Sequence, residues 1–367
     1  MPLTDLMGGS SGPAVRRPVF EVAFGGGGGG LGGLAGAAAA LGGGGDPWKA
    51  SLVSVTVECG LAPFADVAEI ELSPDPQAPT VALGDEGSIS LGYEDDDAAT
   101  VFTGKVAAVR RRVGGTTRVT VTNGGAELSR LRVNQGYEGE NSGGVVGELA
   151  GLAGVDTDTV EDGIDFPYYV VDDRTGGWGH VARLARLSGY LAYLTPDGAL
   201  YFGPYNEGDP VRTFAYGADL LALEVTEAAP VVTAVTAVGE GAAGSQGEDA
   251  WGWLLRDAAA VTRDGGEGDT VRLLTDGALR SGDAAQQAAE GVVTAAGRLA
   301  LTGRLLAPGA PEVTVGSTVA VSDAPQDALN GSFLVRRVRH RFSKREGFTT
   351  LVDFATGGGG GGLGGFL

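Results

Sequence analysis

Cysteine is nearly missing from this chain: Cys59 is the one residue of its kind in 367. No internal disulfide is possible, so the fold must rest on packing, and folding in a reducing compartment is expected. Cys59 ends the alternating run of residues 54–59, where a small buried apolar side chain is expected rather than a nucleophile. Histidine is almost as scarce. His180 and His340 fall in different predicted domains, with no Cys or His partner at zinc spacing, so no transition-metal site is legible. Basic charge is also short, 26 residues against 46 acidic ones, a net of -20. An acidic chain repels phosphate backbones, so direct nucleic-acid binding is not expected. Its two basic clusters are Arg110, Arg111 and Arg112, and Arg336, Arg337, Arg339, His340 and Arg341. Both sit in strand-like runs, where such charges face solvent or pair with acids.

The motifs of common enzyme classes are absent as well. A phosphate cradle needs a lysine after its glycines, and none follows either glycine tract. No Gly-x-Ser-x-Gly elbow stands between a strand and a helix, and nothing singles out two of the 46 acids as a glycosidase pair. The acidic run Glu94, Asp95, Asp96 and Asp97 lacks the spaced ligands and following glycine of a calcium loop, and is expected at a solvated hairpin tip. No catalytic residue, metal site or cofactor is therefore expected. There is no basic start followed by an apolar core, hence no secretory signal. Residues 25–45 have the length of a membrane span, but thirteen of the 21 are glycine. At roughly 1 kcal/mol each in a helix, those glycines exclude a spanning helix, and no membrane contact is expected.

What the chain does have is glycine, 66 residues, more than twice the usual share of about 7%, and many strand-like runs. After a flexible arm at 1–17, residues 18–24, 52–58, 67–72, 87–93, 101–113 and 116–122 alternate apolar and polar. Gly114 and Gly115 mark a hairpin between the last two. Six short strands with tight turns predict an antiparallel barrel or sandwich. The period then changes. Residues 145–153 and 179–187 have helical spacing, with Val181, Leu184 and Leu187 on one face and Arg183 and Arg186 facing away. Strands at 190–194 and 199–202 flank the turn of Pro196, Asp197 and Gly198, completing a small α/β module. Alternation returns at 220–226 and 231–238, a helix is predicted at 284–296, and strands at 299–306, 313–321, 332–342 and 348–354. The fold class is mainly β (α+β).

Several of these segments resemble the phage late control gene D proteins and the related VgrG-type hubs. In the middle module, residues 168–175 (YYVVDDRT) lead into 178–185 (WGHVARLA), similar to that family's extended segment before a helix carrying an aromatic residue and a Leu-Ala pair. Residues 188–190 (SGY) and 198–202 (GALYF) look like the rest of that module. The C-terminal third is the stronger match: a helix with paired alanines at 283–288, then 315–321 (VGSTVAV), 329–340 (LNGSFLVRRVRH) and 347–354 (GFTTLVDF). The order of these last segments is similar to the closing barrel of such hubs, and the resemblance as a whole extends over residues 18–356.

The resemblance implies two tandem tube-like antiparallel β-barrels joined by the α/β module. The expected division is a first barrel at 18–133 with a glycine-rich insertion at 25–45, the module at 134–205, a second barrel at 206–356, and a glycine-rich tail at 357–367. It further implies a homotrimer whose two barrels per subunit dock on a hexameric inner tube. The expected partners are further copies of itself, inner-tube proteins, other baseplate proteins and a separate spike protein, because the sequence stops at the closing barrel. Such a hub would assemble in the cytoplasm as part of a phage tail or contractile injection particle. His340 would then be a structural residue at a strand end. Leu31, Leu34, Leu41, Leu363, Phe366 and Leu367 stand in glycine tracts without the polar residues of a pure linker, and are candidate assembly contacts. Two competing functions are a tail-associated cell-wall hydrolase, which lacks an isolable catalytic set, and a carbohydrate-binding β-protein. The latter usually clusters exposed aromatics; here aromatics are 7% and fall mostly on alternating strand positions.

Overall fold

The computed structural model describes residues 16–25, 46–96, 98–239 and 262–357, and every structural statement refers to these. In chain order the first elements are β1 (Pro18–Phe24), α1 (Pro47–Ser51), β2 (Leu52–Gly60), β3 (Val67–Leu72), β4 (Glu86–Tyr93), β5 (Ala99–Arg111) and β6 (Thr117–Thr122). The central ones are α2 (Gly124–Arg130), β7 (Gln135–Asn141), α3 (Ser142–Ala153), β8 (Thr157–Val160), β9 (Asp165–Val171), α4 (Gly177–Ser188), β10 (Leu191–Leu194) and β11 (Leu200–Gly203). Then come β12 (Arg212–Ala215), β13 (Ala222–Glu227), β14 (Ala234–Gly239), β15 (Thr262–Gly266), β16 (Val271–Asp276) and α5 (Gly282–Gly297). The last are β17 (Leu301–Pro308), β18 (Thr318–Ser322), β19 (Gly331–Ser343) and β20 (Gly347–Ala355).

The predicted alternation is realised strand by strand. In β1, Phe20, Val22 and Phe24 point inward while Glu21 and Ala23 face out, as the two-residue period requires. The six early strands run β1-β4-β5-β6-β3-β2, and the late strands add β19-β20-β17-β13, with β18 on β19 and β12 on β18. The two tandem barrels implied by the resemblance are not closed by these pairings. Among the described residues one path runs open from β1 to β13. The reason is that β2 pairs with β19 from Gly60↔Arg337 to Ser54↔Ser343, so the edge each half would need for its own closure joins it to the other half. A single apolar core serves both halves. Phe20 packs on Phe342 with ring centroids 4.8 Å apart, and Tyr93 on Phe348 at 5.9 Å, so β1 and β4 lie across β19 and β20. Each fully buried Phe there, such as Phe102 or Phe354, contributes about 2–3 kcal/mol by transfer from water.

A second core gathers β7 to β11 and α2 to α4 and extends to Val232, Val235, Leu274, Leu279 and the alanine face of α5. In α4 the predicted face is buried, Val181, Leu184 and Leu187 together with Trp178, and Gly189 ends the helix in the left-handed conformation. Ser281 caps α5 by accepting from the Ala284 N–H at 3.1 Å. The small residues of α5 let it approach α4 closely. At Gly291 a Cβ would strike the Leu187 carbonyl oxygen and the Gly189 nitrogen, so only glycine fits that crossing.

Candidate functional site

The sheet and the α/β core meet at the loop after β2, where the buried pair Asp66 and Asn123 lies. Gly60 donates its N–H to Asp66 Oδ1 at 2.9 Å, and Asn123 Nδ2 donates to Oδ2 at 2.8 Å. Asn123 also caps α2, accepting from Gly125 N–H at 3.1 Å. Trp178 Nε1 of α4 donates to the Phe64 carbonyl at 2.9 Å, and the Ala62 N–H to the Ala192 carbonyl of β10 at 2.8 Å. Burial pushes the Asp66 carboxyl up to about 7, against its two hydrogen bonds, which lower it. The same burial, with the Asp66 and Glu58 charges nearby, holds the Cys59 thiol well above its ordinary range. Cys59 is therefore a buried thiol, not a nucleophile.

The two histidines are far from each other in role as in sequence. His340 lies within β19 rather than at its end, and is buried. A carbonyl only accepts, so Nε2 carries the hydrogen given to the Val313 carbonyl (3.2 Å) and Nδ1 accepts from the Thr350 hydroxyl (3.0 Å). Burial depresses its pKa to about 4, the bond to Val313 opposing. His180 donates from Nε2 to the Asp172 carbonyl at 3.0 Å. Among the described residues, no group of three or more His, Cys, Asp or Glu is placed to hold a metal ion, and no helix is long and apolar enough to cross a membrane.

The charged runs behave as solvated strand chemistry. Arg337 and Arg339 reach Glu58 at 3.5 and 2.9 Å across the β2–β19 seam, and Arg341 reaches Glu346 at 2.9 Å. Glu94 and Asp96 sit in a turn where Arg17 and Arg16 face them. The six candidate assembly contacts, Leu31, Leu34, Leu41, Leu363, Phe366 and Leu367, lie outside the described residues.

Two features were not anticipated from the sequence. The first is a corner where the outer strands β12 and β13, each paired on one side only, stand beside exposed Val211, Tyr216 and Leu221. Alternation at 220–226 marked β13, but the four-residue β12 left no periodic trace. The second is a groove of about 420 Å³ at the joint, walled by α4, α5, the loop after β2 and β19, and carrying Arg183, Arg186, Arg298 and Arg336. The outward facing of Arg183 and Arg186, and the basic cluster that holds Arg336, were its sequence traces.

No described protein family matches the sequence, and no curated protein does. Solved structures do match it. The prophage MuSo2 43 kDa tail protein from Shewanella oneidensis shares the fold with a TM-score of 0.64 at 12% identity, over 94% of this chain and 99% of that one. The tail protein from Neisseria meningitidis MC58 aligns with a TM-score of 0.62 at 13% identity, over 83% of this chain and 92% of that one. An E. coli component of the type VI secretion system, itself structurally similar to T4 bacteriophage tail proteins gp27 and gp5, gives 0.53 at 11%, over 83% and 73%. The chain therefore has the mainly β fold of phage tail and type VI secretion components.

Proposed function

We propose that this protein is the structural, non-enzymatic hub of the baseplate of a phage tail or contractile injection system, joining a hexameric inner tube to a trimeric spike. The supporting observation is the fold shared with a prophage tail protein along 94% of this chain and 99% of that one. In this reading the two six-stranded halves of the large sheet act as the two tube-like barrels of a subunit. Three copies then offer six similar faces to the tube, while a separate spike protein docks opposite. The proposed division keeps the barrels at 18–133 and 206–356 and the module at 134–205, with Val232, Val235, Leu274, Leu279 and α5 of the second barrel region packed on the module. The exposed corner of Val211, Tyr216 and Leu221 beside the open strands β12 and β13 supports the reading. Unpaired edges invite strand addition, and a neighbouring copy or another baseplate protein would cover them. Assembly would take place in the cytoplasm before incorporation into the particle. Mass measurement of the assembled hub tests the proposal: three copies are expected, and a particle with two, four or six overturns it.

A further inference from the structure

The groove at the joint has a composition at odds with the rest of the molecule. In a chain of net charge -20, its wall carries four arginines and neither aspartate nor glutamate. Arg183 is satisfied, with both oxygens of Asp276 at 2.6 and 2.7 Å and the Tyr169 hydroxyl at 2.9 Å. The others are not. The guanidinium groups of Arg186 and Arg336 make no hydrogen bond or ion pair among the described residues, and the carboxylates acting on them, Asp276 and Asp353, are already engaged by Arg183 and Arg304. Arg298 is 8% exposed, gives Nη2 to the Gly189 carbonyl at 2.8 Å, and keeps a buried Nε without a partner.

The backbone aims these groups deliberately. The pairing of β19 with β20 slips between Val335 and Arg337, so Arg336 is the bulged residue. A bulge is a device that re-aims a side chain, and this one faces Arg336 to the groove while its carbonyl accepts from Leu61 N–H at 3.0 Å. Arg186 is the outward residue of α4, and Arg298 follows directly on α5. Partial desolvation, reinforced for Arg186 by Arg272 and Arg183, holds exposed Arg186 and half-buried Arg336 below the ordinary guanidinium range. Gathering like charges in a half-dry wall is unfavourable unless an anion completes it. The rest of the wall is apolar, with Leu61, Pro63, Leu191, Leu299 and Leu334, which suits side chains rather than a free hydrated ion.

We propose that this groove binds an acidic, leucine-rich peptide segment of a protein partner, its carboxylates meeting Arg186, Arg298 and Arg336 while its apolar side chains lie on the leucines. Guanidinium forks match carboxylates bidentately, and the surrounding negative surface makes an isolated basic groove selective by contrast. The inference does not rest on the hub reading, because it concerns the isolated chain.

The test uses the full chain and a fluorescent peptide of alternating leucine and glutamate, with an alternating leucine and glutamine peptide as the neutral probe. The expected result is saturable binding of the acidic peptide, at least tenfold weaker for the neutral one. R186Q/R336Q should weaken the acidic peptide at least tenfold, and A182E, which sets a carboxylate on the groove wall, should do the same. Both variants are checked for unchanged circular dichroism and thermal midpoint, and R110Q/R112Q removes equal charge elsewhere and should bind normally. Absence of binding to the natural chain, unchanged affinity in folded R186Q/R336Q and A182E, or an equal loss in R110Q/R112Q overturns the proposal. Displacement of the peptide by millimolar inorganic phosphate also overturns it, since that marks a general anion site.

Discussion

Asn123 Nδ2 stands 2.8 Å from Asp66 Oδ2 while the same side chain caps α2 through its oxygen, so one amide ties the loop after β2 to the start of the α/β core. Both oxygens of Asp66 accept hydrogen bonds, yet burial dominates and holds its carboxyl at about 7, above the unfolded value near 4. Stability from this group is complete below about pH 4 and is lost as pH rises through 7. The three-unit difference corresponds to about 4 kcal/mol. Asp66→Asn should flatten that loss in denaturant titrations between pH 4 and 7. It should also lower stability at pH 5, because the new amide nitrogen faces that of Asn123.

His340 acts with the opposite sign. Its folded pKa of about 4 lies below the unfolded value near 6.5, so its contribution is complete above pH 6.5 and is lost as pH falls through 4. The difference is about 3 kcal/mol. Between pH 4 and 6.5 the two groups offset each other, and stability should be nearly flat there in the natural protein. His340→Gln should unmask a fall in stability as pH rises across this window, and Asp66→Asn a fall as pH drops. Two variants with the same slope would refute the assignment.

Glycines on helices should divide by what surrounds them. Gly291→Val drives a side chain into the backbone at the end of α4 and should cost about 1–3 kcal/mol or more. Gly147, within α3, has open space where a Cβ would go. Gly147→Ala should raise stability by about 0.5–1 kcal/mol. Thermal midpoints of the two variants, measured side by side, decide the matter.

In the proposed trimer, three copies of the chain carry 3 × -20, a formal charge of -60. Assembly of that trimer should strengthen with ionic strength as the screening length falls from about 10 Å at 0.1 M to about 3 Å at 1 M. Sedimentation at 50 mM and 1 M salt reads this directly, and oligomer fractions indifferent to salt would count against it.

The glycine tracts remain a proposal about assembly. Deleting residues 26–44, which removes Leu31, Leu34 and Leu41, should reduce the yield of particles retaining hub and spike. Removing 358–367 with Leu363, Phe366 and Leu367 should do likewise. Normal yield from both deletions would leave the tracts without an assembly role.

Much of the fold was legible because burial on one face writes a period into the chain. The runs at 18–24, 52–58 and 348–354 alternate as their strands do, and α4 shows its apolar face. Strands with little to bury left no such trace. β7 buries Tyr137 alone, β8 is half exposed over four residues, and β16 buries only Leu274. α2 opens with two glycines, which argue against a helix until Asn123 supplies its cap. The seam of β2 with β19 was illegible for another reason: pairing between distant segments depends on complementary faces, not on any local signal. The groove shares that origin, since the bulge at Arg336 exists only relative to β20.

That seam also governs when the protein can exist as such. Glu58 finds Arg337 across 279 positions of sequence, so β2, paired early with β3, must wait for that stretch to be synthesised before β19 covers its other edge. At about 5–20 residues per second, the early strands wait on the order of 15–60 s with an open edge and half a core. A chain interrupted anywhere before β19 leaves that edge bare, a template for pairing with its neighbours on the polysome. Synthesis rate and chaperone occupancy in that interval should therefore bear on the yield of folded protein, alongside the stability of the finished sheet.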